Sequence, residues 1–133
     1  MCAKAAKDVK IIGRLDIEIY KCITDSIITD EVIITEERIQ HIKERHPNDY
    51  ELFYSYMREV IEHPEYIIEA NKPNTALILK SFSNGDNQFK TILRLVTSAD
   101  NNAFKNSIIT FMKINEKEWN RLVKNKKILY KSE

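Results

Sequence analysis

Apolar and polar positions change period along the chain, and the changes divide it into three stretches. In Ile17-Glu18-Ile19-Tyr20 the two classes alternate, the signature of a half-buried strand. The N-terminal third therefore reads as short extended pieces at Lys10–Gly13, Leu15–Ile23 and Val32–Ile34. Thr35-Glu36-Glu37 then opens a helix, with threonine as cap and two carboxylates at the positive end of the dipole. That helix is predicted to stop near Arg45, because Pro47 pushes His46 out of helical geometry. A second helix starts near Asn48 or Asp49, carries Phe53, Met57, Val60 and Ile61 on one stripe, and ends before His63-Pro64. From there the period is two. Tyr66–Ala70, Thr75–Phe82, Phe89–Thr97 and Ser107–Ile114 read as four strands, with a hairpin turn at Asn84-Gly85-Asp86-Asn87. Glu116–Lys124 reads as a short helix anchored by Trp119, and Ile128-Leu129-Tyr130 as a last extended piece. The expected fold is α+β, with N-terminal helices packed on a curved antiparallel sheet of about four strands.

Composition adds limits. The 133 residues are 43% hydrophobic and 31% charged, which fits one globular domain and neither a disordered nor a membrane chain. The longest apolar runs, such as Ala76–Leu79, fall far short of the ~20 residues a spanning helix requires. Met1–Lys10 carries three lysines with no apolar signal-like stretch after them, and Cys2 and Cys22 form no metal or redox spacing. The expected location is the cytoplasm, with both thiols reduced. The net charge of +1 conceals a split: residues 14–69 hold 6 Lys or Arg against 14 Asp or Glu, and residues 70–131 hold 12 against 4. A basic half attracts a polyanion, or alternatively the two halves attract each other across the fold.

The stretch His41-Ile42-Lys43-Glu44-Arg45-His46-Pro47 carries the most chemistry. On a helical wheel Ile39 and Ile42 mark the buried side, while Arg38, His41 and Arg45 share the opposite flank. Imidazole changes charge near neutral pH, which suits general acid–base work by His41 and His46. The other reading makes His46 a cap on the negative helix end and His41 a surface residue. His41, His46 and His63 lack the spacing of a zinc site, and no metal or cofactor is expected. A second group lies on the strands: Lys80, Arg94, Thr97, Ser107 and Thr110. Lys80 and Arg94 interrupt apolar strands, so each faces solvent or lines a site. A three-residue hairpin loop puts both on one face, whereas a two- or four-residue loop separates them.

Ile34–Arg38, His41–Pro47, His63–Ile67, Leu93–Leu95, Ile108–Phe111 and Ile128–Lys131 together resemble phage-associated nuclease domains grouped with the barnase, EndoU, colicin and RelE toxins. The resemblance spans about 100 of the 133 residues, from Val32 to Tyr130. It implies helices on a sheet whose concave face holds RNA, and metal-independent cleavage with the 2′-hydroxyl as nucleophile. In that scheme His41 and His46 are the acid–base pair, Lys80 and Arg94 stabilise the phosphate, and Thr110 and Thr97 donate hydrogen bonds. Arg45, Ser107, Tyr130 and Lys131 become substrate-binding candidates. The expected partners are RNA and an inhibitor or immunity protein, in the manner of a toxin. Residues 1–31 have no counterpart and are expected to form an extension of short strands before a nuclease-like domain at 32–133, within one compact unit. The competing function is a non-catalytic nucleic-acid-binding or phage accessory module using the same basic surface. Few exposed aromatics accompany the basic half, so base stacking on rings is not an evident source of sequence preference.

Overall fold

A computed structural model describes residues 9–45, 50–82, 87–100 and 105–132, with the backbone alone for 50–53. His46 and the hairpin residues 83–86 lie outside the described residues, as does the side chain of Phe53. In chain order the elements are β1 (Val9–Arg14), α1 (Ile17–Tyr20), β2 (Glu31–Thr35), α2 (Glu36–Arg45), α3 (Tyr50–Glu62), β3 (Tyr66–Glu69), β4 (Thr75–Phe82), β5 (Asn87–Arg94), β6 (Asn106–Ile114), α4 (Glu116–Asn125) and β7 (Ile128–Lys131). The strands form one seven-stranded sheet in the order β1-β2-β6-β5-β4-β3-β7. All pairings are antiparallel except β2 with β6.

This corrects the expectation of helices on about four strands. The four strands read from the period-two stretch are the centre of the sheet, and β2, β1 and β7 continue it on either side. Among the described residues the first element is β1, over the extended piece expected at Lys10–Gly13, and it belongs to the main sheet rather than to a separate extension. Ile12, Leu15 and Tyr20 lie in the same buried cluster as the later strands and helices. Leu15–Ile23, expected as extended, contains α1 instead. The Asp16 side chain accepts the Glu18 N–H at 3.0 Å and caps this short turn, and the alternation in Ile17–Tyr20 misled because so few residues are involved. The Tyr20 hydroxyl donates to the Ile61 carbonyl at 2.8 Å, so its burial leaves no polar atom stranded, and burial pushes its phenol pKa well up. Gly13 sits where a Cβ would meet the Glu62 carboxylate at 2.6 Å, and that carboxylate accepts the Arg14 N–H at 3.0 Å.

Alternation along the strands gives the sheet two unlike faces. One is covered by α1, α2 and α3 through Tyr20, Ile39, Ile42, Met57, Val60 and Ile61, which share one buried cluster with Ile34, Ile78, Phe89, Leu93 and Phe111. On the other face, among the described residues, only α4 packs, placing Trp119 and Leu122 on Ile68, Leu77 and Leu79. Asn115 caps α4 by accepting the Glu118 N–H at 2.8 Å. The second face is thus left open from α4 to α2. Among the described residues no helix is long and apolar enough to cross a membrane.

The parallel contact shapes the site. β2 meets β6 only at Val32↔Asn106 and Ile33↔Ser107. Asn106 is fully buried and clamps the junction: its Oδ1 accepts the Val96 N–H, and its Nδ2 donates to the Thr29 and Glu31 carbonyls, at 2.8–2.9 Å. Past that point Thr35 accepts the Arg38 N–H at 3.2 Å and turns the chain into α2, as its capping position predicted. The remainder of β6 is paired only on its β5 side, with α2 beside its other edge.

Candidate active site

Two adjoining clefts run from the edge between α2 and β6 onto the open face. The first, about 200 Å³, lies between α2 and the β6 edge, with Arg38, His41 and Arg45 on one wall and Ile109, Thr110 and Met112 on the other. The second, about 670 Å³, lies between Arg38 and α4, and is lined by Arg94, Lys72, Lys126, Asn71 and Asn74 around an apolar floor. Arg38 and Ile109 belong to both, so the clefts form one groove.

Helix geometry explains the first wall. Positions 38, 41 and 45 are i, i+3 and i+7, falling within about 60° at ~100° per residue. Ile39 and Ile42, centred about a quarter-turn round the helix from them, are buried, which fixes the rotation of α2 and leaves the three polar side chains exposed along its flank. Of the six arginines in the chain, Arg14, Arg58, Arg94 and Arg121 each contact a carboxylate. Arg38 and Arg45 have no carboxylate partner among the described residues. Among the described residues the linings together hold five Lys or Arg side chains, His41 and no Asp or Glu. Such a groove attracts an anion, and the Arg38 and Arg45 guanidiniums present forks that match phosphate oxygens.

Strand register settles the hairpin question. Phe82 pairs with Asn87 and Lys80 with Phe89, leaving four residues between the strands. Arg94 pairs with Thr75, so Lys80 and Arg94 stand on opposite faces and cannot act on one phosphate. Lys80 belongs to the covered face, where its ammonium donates to the His63 carbonyl and lies 3.7 Å from Glu59. Arg94 is on the open face, held by the Leu95 carbonyl and, at 3.2 Å, by Asp100. The Thr97 backbone N–H, at 2.9 Å, holds the Asp100 carboxyl below its usual range, with Arg94 adding to the effect. Arg94 is therefore oriented, with part of its charge compensated.

Thr110 lies on the open face, as the cross-strand partner of Ile92, and lines the first cleft. Ser107 is the cross-strand partner of Arg94 and shares its face. Thr97 is 3% exposed and bonded to Asp100, which leaves it a structural place beside the groove rather than a lining one. Tyr130 and Lys131 are on β7, four strands from β6 or on the order of 19 Å at ~4.8 Å per strand. Tyr130 packs against the covered-face core, and the Lys131 ammonium sits 5.9 Å from the Tyr66 ring centroid. The sequence reading thus finds the α2 wall, Thr110, Arg94 and Ser107 on one face, and Lys80 and Tyr130 on the other. It passed over Lys72, Asn71, Asn74 and Lys126, and it gave Arg38 no role. A wheel through His41 marks Arg38, whereas the loop and α4 residues meet only in the folded sheet.

The charge split has a partial answer. Ion pairs between the acidic and basic halves are Lys80–Glu59 and Lys105–Glu31 among the described residues. The other pairs join charges within one half, so attraction between halves accounts for little of the basic excess.

Fold and groove together define an α+β protein with a seven-stranded sheet and a groove lined by cations among the described residues. A scan of protein families matches residues 7–131 to the one described as phage-Barnase-EndoU-ColicinE5/D-RelE like nuclease2, and the chain belongs to that family. The match begins ahead of β1, so it takes in the N-terminal strand that the resemblance left out. Neither a curated protein nor a solved structure matches the chain.

Proposed function

We propose that this nuclease-family chain is a metal-independent endoribonuclease whose scissile phosphate lies in the cleft between α2 and β6. The observation that carries the reading is the α2 wall: an imidazole between two guanidiniums that have no carboxylate partner among the described residues, facing the hydroxyl of Thr110. His41 takes the proton of the 2′-hydroxyl, or delivers one to the leaving 5′-oxygen. His46, outside the described residues, is the sequence candidate for the complementary transfer. The 2′-oxygen forms a bond to phosphorus as the bond to the 5′-oxygen breaks, leaving a 2′,3′-cyclic phosphate and a 5′-hydroxyl. Arg38 and Arg45 oppose the charge that grows on the non-bridging oxygens, where fixed cations are worth most. Thr110 donates a hydrogen bond to the same oxygens, and Arg94 binds a neighbouring phosphate.

Cation charge does the work assigned here, and among the described residues the groove linings offer one imidazole and no carboxylate as metal ligands. Purified protein with EDTA is expected to cut RNA to cyclic-phosphate ends and to leave the same strand intact when the scissile nucleotide is 2′-deoxy. Activity lost to EDTA and restored by magnesium or zinc contradicts metal independence. Cleavage of the 2′-deoxy strand contradicts the nucleophile.

A further inference from the structure

The second cleft differs from the first in size and in chemistry. At about 200 Å³ the first is below the roughly 300–1,000 Å³ of ordinary ligand sites, and it suits a phosphate group. At about 670 Å³ the second lies within that range. Its floor crosses neighbouring strands: Leu77 on β4 pairs with Ile92 on β5, and Ile109 on β6 lines the cleft beside them. Its rim is cationic on both sides, with Arg38 from α2 facing Lys126 at the end of α4.

Two amides complete it. Asn71 Oδ1 accepts from the Lys126 ammonium at 3.2 Å, so the N–H groups of that amide are what it offers a ligand. Asn74 holds φ at +55°, a left-handed conformation that asparagine tolerates, and its carbonyl accepts the Leu95 N–H at 2.8 Å. The backbone of the turn is thereby tied to Leu95, just after β5, and the Asn71 amide is held at the rim, with Asn74 also lining the cleft. A flat apolar group resting on aliphatic side chains, with acceptors toward amide donors and a phosphate toward flanking cations, is a nucleotide. A base inside a duplex is stacked on both faces and cannot lie on this floor, so the base is unpaired.

We propose that this cleft is a base-recognition subsite for the unpaired nucleotide next to the scissile phosphate, with Asn71 and Asn74 reading the base edge. The proposal rests on the ribonuclease reading for its place beside the cut, but the pocket is testable without cleavage. Wild-type protein is titrated with the four nucleoside 5′-monophosphates and with ribose 5-phosphate as the base-free probe. At least one nucleotide is expected to bind about tenfold more tightly than ribose 5-phosphate, the size of one well-placed base contact. Asn71→Ala with Asn74→Gly is expected to erase that gain, and glycine keeps the turn because it accepts positive φ. Equal affinity for all five probes, or a gain that survives in the variant, overturns the subsite.

A cleavage arm uses short single strands varied at the positions flanking the cut. The wild type should show about a tenfold preference at one flanking position, and the variant should lose it. Cleavage indifferent to both flanking bases overturns the subsite and leaves the ribonuclease reading standing. Base-dependent binding without any cleavage in EDTA supports the subsite and removes the metal-independent ribonuclease reading.

Discussion

The two faces of the sheet are built from alternate residues of the same strands, yet they have little in common. On the covered face Phe89 stacks on Phe111 at 5.0 Å and meets Tyr56 at 4.9 Å, and the aromatic side chains are spent on the core. The cation there, Lys80, is satisfied by a carbonyl and a carboxylate. The open face has an aliphatic floor, threonine and serine hydroxyls and Arg94, and along its β6 edge stand two guanidiniums without a carboxylate partner among the described residues. Strand alternation alone decides which kind of cation a residue becomes: Lys80 and Arg94 interrupt similar apolar runs, and a four-residue loop sends them to opposite sides. A basic residue in a strand is thus informative about function only once its register is known.

The comparison breaks if substitutions on the open face damage folding or substitutions on the covered face damage catalysis alone. The largest effect is expected at His41. His41→Ala should lower single-turnover RNA cleavage by ~10²–10⁴ while shifting unfolding free energy by no more than about 0.5 kcal/mol, as for an exposed position. Phe89→Ala should do the reverse, costing about 3–5 kcal/mol in denaturant unfolding through loss of packing and a cavity. Five groove cations on a single strand give log Kd against log salt a slope near 3.5, or about 10² between 50 and 200 mM. Replacing Arg38 and Arg45 together by alanine should reduce that slope by about 1.4. Binding that ignores salt places the groove cations elsewhere in the account.

The pair separated by register gives a smaller and sharper contrast. Arg94→Ala should reduce cleavage on the order of tenfold, whereas Lys80→Ala should leave it within about twofold. Equal losses contradict the two-face assignment. The smallest effect concerns pH. Asp100 is depressed by the Thr97 N–H and Arg94, Glu31 by Lys105, and Glu118 by Arg121. Because these carboxyls titrate lower when folded, their stabilisation is present above the unfolded value of about 4 and is lost as pH falls through the folded values. Asp100→Asn should therefore lower Tm at pH 7 and narrow the Tm difference between pH 7 and pH 3.

Residues 35–45 were the most readable part of the chain. A threonine cap, two buried isoleucines and a period of 3.6 determine both the start of α2 and the direction of Arg38, His41 and Arg45. The four central strands were readable for the same reason, since each is long enough for alternation to be distinct. The edge strands were not recognised as parts of the sheet, because a run as short as Val32–Ile34 does not say what it pairs with. The parallel β2–β6 contact depends on Asn106 meeting Thr29 and Glu31, residues more than 70 positions away. The second cleft was hidden for that reason too: Arg38, Asn74, Arg94 and Lys126 come from four separate segments, and only the sheet order brings them together.

The central claim is that RNA lies on the open face between α2 and α4. Amide chemical-shift mapping with a 2′-deoxy oligonucleotide, which this site is expected to bind and not cut, tests it most directly. Perturbations should concentrate at Arg38, His41, Ile109, Thr110, Arg94 and Asn74, with Ile61, Ile78 and Lys80 unmoved. Perturbations centred on Lys80 and α3, with the Arg38–Thr110 groove silent, would contradict the account.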